Sequence, residues 1–218
     1  MRKLLIIPTC LLLLAACDNA AVKPPETLAT ATLPTESHTD REIMTLLERG
    51  NFLTERTRQV TAIQTVFSRH TTPERARNLA ALCFSKTSGT PFMPFDLAEI
   101  ALAETGGNRL SGKAVSPRGA RGVWQVMPER ARSHGFTAQD MTVDEKCAEA
   151  AVRELFTKLE MAQGDLERAK KLYCGQGPQA NAYLKKVRNY RSEMHSVLEQ
   201  AQKRMASASM AQPTFRTR

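Results

Sequence analysis

The sequence predicts an all-α body, mainly helical α+β at most, and three observations carry that expectation. Apolar residues recur at helical spacing, as in Ile43, Met44 and Leu47 and again in Val60, Ile63 and Phe67. Thr72-Pro73-Glu74 is a helix start, with a hydroxyl to cap the first amides and a proline where its missing N–H costs nothing. No stretch alternates apolar and polar positions with β-branched residues for long enough to make a strand.

From the N-terminus, Arg2 and Lys3 form a short positive region ahead of the apolar run Leu4 to Leu14, which contains Pro8. That run is too short and wrongly flanked for a membrane span and predicts an export signal over residues 1–16. It ends in Leu14-Ala15-Ala16-Cys17, which resembles a bacterial lipobox. The resemblance implies that Cys17 is acylated and anchors the chain to a lipid membrane, facing the periplasm; more than one acyl chain makes such anchoring stable. Asp18 resembles an inner-membrane retention signal, and the choice between inner and outer membrane stays open. Residues 18 to about 40 are rich in Pro, Thr, Ala and Ser with few large apolar side chains, so residues 17–40 read as a lipidated cysteine and spacer.

Beyond Thr72, the apolar face continues through Ala76, Leu79, Ala80 and Cys83. Ser85 to Pro91 is a break. Further helices are expected at about 94–104, 127–134, 144–163, 165–174 and 179–200. The division expected is an N-terminal helical segment at 41–85, a main domain at 86–200 and a flexible tail at 201–218, with about 160 residues available for one core. The segment 41–85 belongs either to the main body or to a separate docking element.

Losing residues 1–16 lowers the formal net charge from +9 to +7. The basic residues are scattered without aromatic interleaving, so nucleic acid is not the expected partner. Cys83, Cys147 and Cys174 allow one disulfide and one thiol, with the pairing undetermined. The four histidines are isolated, His134 and His195 read as surface residues, and no spacing points to a metal site or another cofactor.

One carboxyl stands out. Glu104 shares a helical face with Leu97, Ile100 and Ala101, at the last turn before Gly106-Gly107, whereas Glu99 falls elsewhere on the wheel and reads as surface. A carboxyl on an apolar face has its pKa raised, as a proton donor near neutrality requires.

Downstream come Ala114-Val115-Ser116-Pro117-Arg118-Gly119-Ala120-Arg121-Gly122-Val123-Trp124-Gln125-Val126-Met127-Pro128, then Leu172-Tyr173-Cys174-Gly175-Gln176-Gly177-Pro178 and Tyr183-Leu184-Lys185-Lys186-Val187. This series resembles the SLT family of lytic transglycosylases, relatives of goose-type lysozyme, over roughly residues 90 to 192. The family shows a Glu-Ser at a helix end, then A-x-S-P-x-G-A-x-G-L-M-Q-x-M-P, A-Y-N-A-G-P and Y-V-x-K-V. The resemblance implies a lysozyme-like domain that cleaves peptidoglycan glycan strands with no cofactor. Glu104 would be the acid and then the base; Ser116, Gln125 and Met127 would line the cleft. Tyr173 and Tyr183 would stand beside the carboxyl, and Gly119 and Gly122 would allow tight turns or close backbone approach.

Several positions depart from the family pattern. Thr105 replaces its serine, the loop Thr105 to Val115 is a few residues longer, Trp124 replaces a methionine, and Cys174 replaces the asparagine of Y-N-A-G. Trp124 is either a sugar-stacking platform or a packing residue. Two other readings stand beside the enzyme: a non-catalytic wall-binding or scaffolding module of an envelope apparatus, and a lysozyme-like muramidase using an activated water.

Overall fold

A computed structural model describes the backbone over residues 38–210 and side chains over 52–208. The export signal, Cys17 and nearly all of the spacer therefore lie outside the described residues, as does the end of the tail. The chain divides into two units, Met1–Arg41 and Glu42–Arg218. Of the first, only the opening residues of a helix are described.

Among the described residues are seven α-helices: α1 His38–Phe67, α2 Pro73–Thr87, α3 Pro94–Thr105, α4 Pro128–Ser133, α5 Asp144–Met161, α6 Leu166–Cys174 and α7 Pro178–Met210. The only extended pairing among them is two isolated bridges, Val115 with Arg121 and Arg121 with Val126. The body is all-α, as the sequence predicts. No described helix is long and apolar enough to cross a membrane.

Local chemistry accounts for the helix starts. The Thr72 hydroxyl accepts from the Arg75 amide and Pro73 opens α2. Pro94 opens α3, where the Asp96 carboxylate reaches back to the Met93 amide at 2.7 Å. The Asp165 carboxylate caps α6 by accepting from the Arg168 amide at 3.0 Å. Two boundaries differ from expectation. Helix α1 begins at His38, inside the expected spacer. Helix α7 runs on to Met210, so residues 201–210 of the expected flexible tail are helical; no Pro or Gly interrupts that stretch, and its alanines favour the helix.

Helix α3 is the centre of the body. Eleven of its twelve residues are buried, and α2, α5 and α7 all pack against it. One core joins Ile63 and Phe67 of α1 and Leu79 and Cys83 of α2 to Leu97 and Ile100 of α3, Leu155 of α5, Ala169 of α6 and Met194 of α7. Phe67, Phe92 and Phe95 are fully buried and each contributes about 1.5–3 kcal/mol. Residues on either side of position 85 share this core, so α2 and the buried part of α1 belong to the body that carries α3. Arg56 fastens that joint: it is buried and donates to the carbonyls of Phe92 and Phe84 and to the Thr87 hydroxyl, at 2.8, 3.1 and 2.7 Å.

Cys83, Cys147 and Cys174 are all free thiols, the first two buried and the third exposed. Burial pushes the Cys147 thiol up to about 12. Trp124 is fully buried and donates its indole N–H to the Leu97 carbonyl at 2.9 Å, which makes it a packing residue. His134 is not the free surface residue expected. It is half-buried, with Nε2 3.0 Å from the Glu154 carboxylate.

Candidate active site

Glu104 occupies the last turn of α3 and is partly buried. The chain leaves α3 through a single 3₁₀ turn, Gly106–Asn108. The run from Ala114 to Pro128 returns to this helix end and is pinned there twice. The Thr105 hydroxyl donates to the Val123 carbonyl at 2.7 Å, and the Trp124 indole bonds the Leu97 carbonyl. The Thr105 hydroxyl is therefore a tether for the loop.

Within the run, backbone geometry determines what the polar residues do. The Ser116 hydroxyl accepts from the Ala120 amide at 3.0 Å, and the Ser116 amide donates to the Ala120 carbonyl at 2.9 Å, closing a tight turn. Gly119 lies at φ 86 and Gly122 at φ 79. A side chain at Gly122 would collide with the Met141 carbonyl and the Cys147 sulfur, so this glycine serves close approach. Gln125, at φ 50, donates both amide hydrogens to the loop, to the Gly122 carbonyl at 2.8 Å and the Ala114 carbonyl at 3.3 Å. Its Oε1 carries no partner among the described residues. A non-glycine residue in this region stores strain, a feature that clusters at functional sites. Met127 precedes α4 and is half-buried.

Helices α6 and α7 supply the two tyrosines. Tyr173 donates to the Trp124 carbonyl at 2.9 Å rather than to a carboxylate. Burial raises its pKa, and the charge of Glu104 adds to the rise. Tyr183 packs with Ala103 and Val187, and its buried hydroxyl has no hydrogen-bond partner. It lies close enough to Glu104 to influence it, without the geometry of a formed bond. Lys186 donates to the Ala103 carbonyl, one residue before Glu104.

Electrostatics distinguish this carboxyl. Burial raises Glu104 to about 7, against Tyr183 and Lys186, which pull the other way. No carboxylate is among the groups that shift it. Asp140 pairs with Lys146 at 2.6 Å, Asp144 with Arg75 at 2.7 Å and Glu145 with Lys86 at 3.1 Å. Cys174 stands near enough to feel this carboxyl: burial raises the exposed Cys174 thiol most, Glu104 raises it further, and Arg118 lowers it. A cavity of 640 Å³ between α6 and α7 is lined by Asp165, Arg168, Lys171 and Arg188 but not by Glu104. Proton chemistry, and not hollow volume, marks the site. Among the described residues no cluster of His, Cys, Asp and Glu could hold a metal ion.

Sequence reasoning missed the groups behind this site. Glu99, expected on the surface, is completely buried. It meets Lys170 at 2.6 Å and Arg191 at 2.5 Å, and Asp96 meets the same two cations. Burial raises Glu99 while Arg191 and Lys170 pull it down; at Asp96, where burial also opposes ionisation, Lys170 and Arg191 prevail and hold it low. The clue lay in α3 itself: with Asp96, Glu99, Glu104 and Thr105 as its only polar side chains, it has no polar face to turn outward. Comparison with known proteins adds nothing to these residues: no family model, curated protein or solved structure matches the chain.

Proposed function

We propose that the chain is a peptidoglycan lytic transglycosylase, a lyase that cleaves the β-1,4 bond between N-acetylmuramic acid and N-acetylglucosamine. The observation that carries this reading is Glu104, a lone carboxyl lifted to about 7 by burial and flanked by Tyr173 and Tyr183. About half protonated at neutrality, it gives its proton to the glycosidic oxygen as that bond to C1 breaks. The resulting carboxylate takes the proton of the muramyl 6-hydroxyl, whose oxygen bonds C1 to close the 1,6-anhydro ring. The product leaves with Glu104 protonated again, and one group serves both steps. A two-carboxylate hydrolase needs a partner within about 5–9.5 Å; no carboxylate is among the groups that shift Glu104, and Asp140, Asp144 and Glu145 are each paired with a cation. The resemblance of the run from Ala114 to Pro128 to the transglycosylase family supports the same substrate. Acylated Cys17, on this reading, tethers the enzyme to a bacterial membrane on its periplasmic side.

The test is digestion of purified sacculi by the full chain and by Glu104→Gln, with mass spectrometry of the sugar ends. Anhydro-muramyl ends, reduced about 10²–10⁴-fold by the variant, are the expected result. Reducing ends would make the protein a muramidase, and sacculus binding without cleavage would make it a wall-binding module.

A further inference from the structure

The segment that follows Glu104 is built with more care than a surface connection needs. Arg109 and Leu110 are consecutive non-glycine residues in the left-handed region, at φ 54 and 50, an unfavourable conformation that persists only where surrounding contacts impose it. Those contacts are present. The Leu110 side chain is fully buried, its amide donates to the Thr105 carbonyl at 3.0 Å, and its carbonyl accepts two bonds from Arg75 at 2.9 and 2.7 Å. Arg75 is itself held by both oxygens of Asp144, at 2.7 and 3.0 Å. Gly112 lies flat on that pair: a Cβ there would come 2.7 Å from the Asp144 carboxylate and 3.2 Å from the Thr142 carbonyl.

What this scaffold presents is a hollow of 450 Å³ just past the Glu104 helix, lined by Asn108, Arg109, Ser111, Lys113 and Thr142 above the Arg75–Asp144 pair. Arg109 and Lys113 are exposed and make no ion pair or side-chain hydrogen bond among the described residues. Two unpaired cations on a fixed backbone, beside an amide and a hydroxyl, form a preorganised receptor for carboxylates, and arginine suits their planar, two-oxygen geometry.

We propose that this hollow is a substrate subsite that binds the free carboxylates of the peptide stems carried by the glycan strand. The inference rests on the proposed function. It assigns the loop a role in substrate choice: strands with free stem carboxylates are held past the end of α3, the helix that carries Glu104.

The test is sedimentation of the full chain with insoluble sacculi, in a Glu104→Gln background so that nothing is digested. Native sacculi are compared with sacculi whose carboxyls have been converted to amides. The expected preference for native sacculi is about 5–10-fold, the scale of two modest ion pairs. Arg109→Gln with Lys113→Gln removes that preference. Lys203→Gln with Arg204→Gln, an equal loss of charge at the far end of α7, keeps it. Equal thermal midpoints for the variants show that folding is not the cause. If the Arg109/Lys113 variant still prefers native sacculi, or the α7 variant loses the preference equally, the subsite is wrong while the proposed function stands. A loss on vesicles of anionic phospholipid without one on sacculi also overturns it, in favour of a membrane-facing patch. If no chain binds either kind of sacculus, the proposed function and the subsite fall together.

Discussion

Glu99 and Glu104 belong to the same helix, one fully and the other partly buried, but the protein treats them in opposite ways. Around Glu99 the chain gathers Lys170 from α6 and Arg191 from α7, and the same cations take in Asp96. Around Glu104 it places two tyrosines, one bonded elsewhere and one with no partner, and the nearest ammonium turns to a backbone carbonyl. The first arrangement spends its carboxylates on joining three helices. The second leaves a carboxyl uncompensated, which costs stability and keeps the proton available near neutrality. Burial alone does not make an acid. Burial without an ion pair does.

The comparison breaks first at Glu104. Glu104→Gln lowers anhydro-product formation by about 10²–10⁴-fold with the fold intact, whereas Glu99→Gln acts on stability; parallel digestion assays and thermal melts of the two variants separate the roles. Next in size is the removal of the shared cation. Lys170→Met leaves two buried carboxylates with Arg191 alone and destabilises the chain by about 3–5 kcal/mol, read by denaturant unfolding.

The pH dependence sharpens the contrast further. Burial raises Glu104 from 4.5 in the unfolded chain to about 7 in the folded one, so the folded state holds the extra proton between those values. Stability then declines as pH rises through that window and is level on either side, by up to about 3 kcal/mol in all. Melts of the parent and Glu104→Gln at pH 4, 5.5 and 8 check the sign: the variant gains on the parent as pH rises. Activity that needs the protonated acid falls through the same region around 7. The smallest effect is expected from Tyr183→Phe. Its hydroxyl has no hydrogen bond to lose, so stability is unchanged or rises by less than about 1 kcal/mol. Glu104 loses one of the two groups that hold it down, and the alkaline limb of the pH–rate profile moves upward.

Much of the fold was legible because the signals were local. Thr72-Pro73 marks a helix start by its own chemistry, and the boundaries of α3, α5 and α6 follow from spacing and flanking breaks. Glu104 was legible as an apolar-face carboxyl. Glu99 was misread because a helical wheel assumes that a helix has an outside, and α3, enclosed on all sides, has none. Its cations come from Lys170 and Arg191, far along the chain, and no pattern within α3 names them. The His134–Glu154 pair was hidden for the same reason. Trp124 was left between two roles until the Leu97 carbonyl appeared opposite its indole N–H. Ser116 and Gln125 were read as groups facing a ligand, whereas most of their hydrogen bonds shape the loop itself; sequence identifies a polar residue but not which of its atoms is already engaged.

The enclosure of α3 also bears on how this centre can be controlled. A helix buried along eleven of its twelve residues releases its amide hydrogens to solvent only through openings nearly as costly as unfolding the whole body, so Ile100 to Ala103 should be among the slowest exchanging amides. Local loosening of that stretch is thus a closed route for control. Under the proposed function, control falls on admission, through the strapped loop at Asn108 to Lys113.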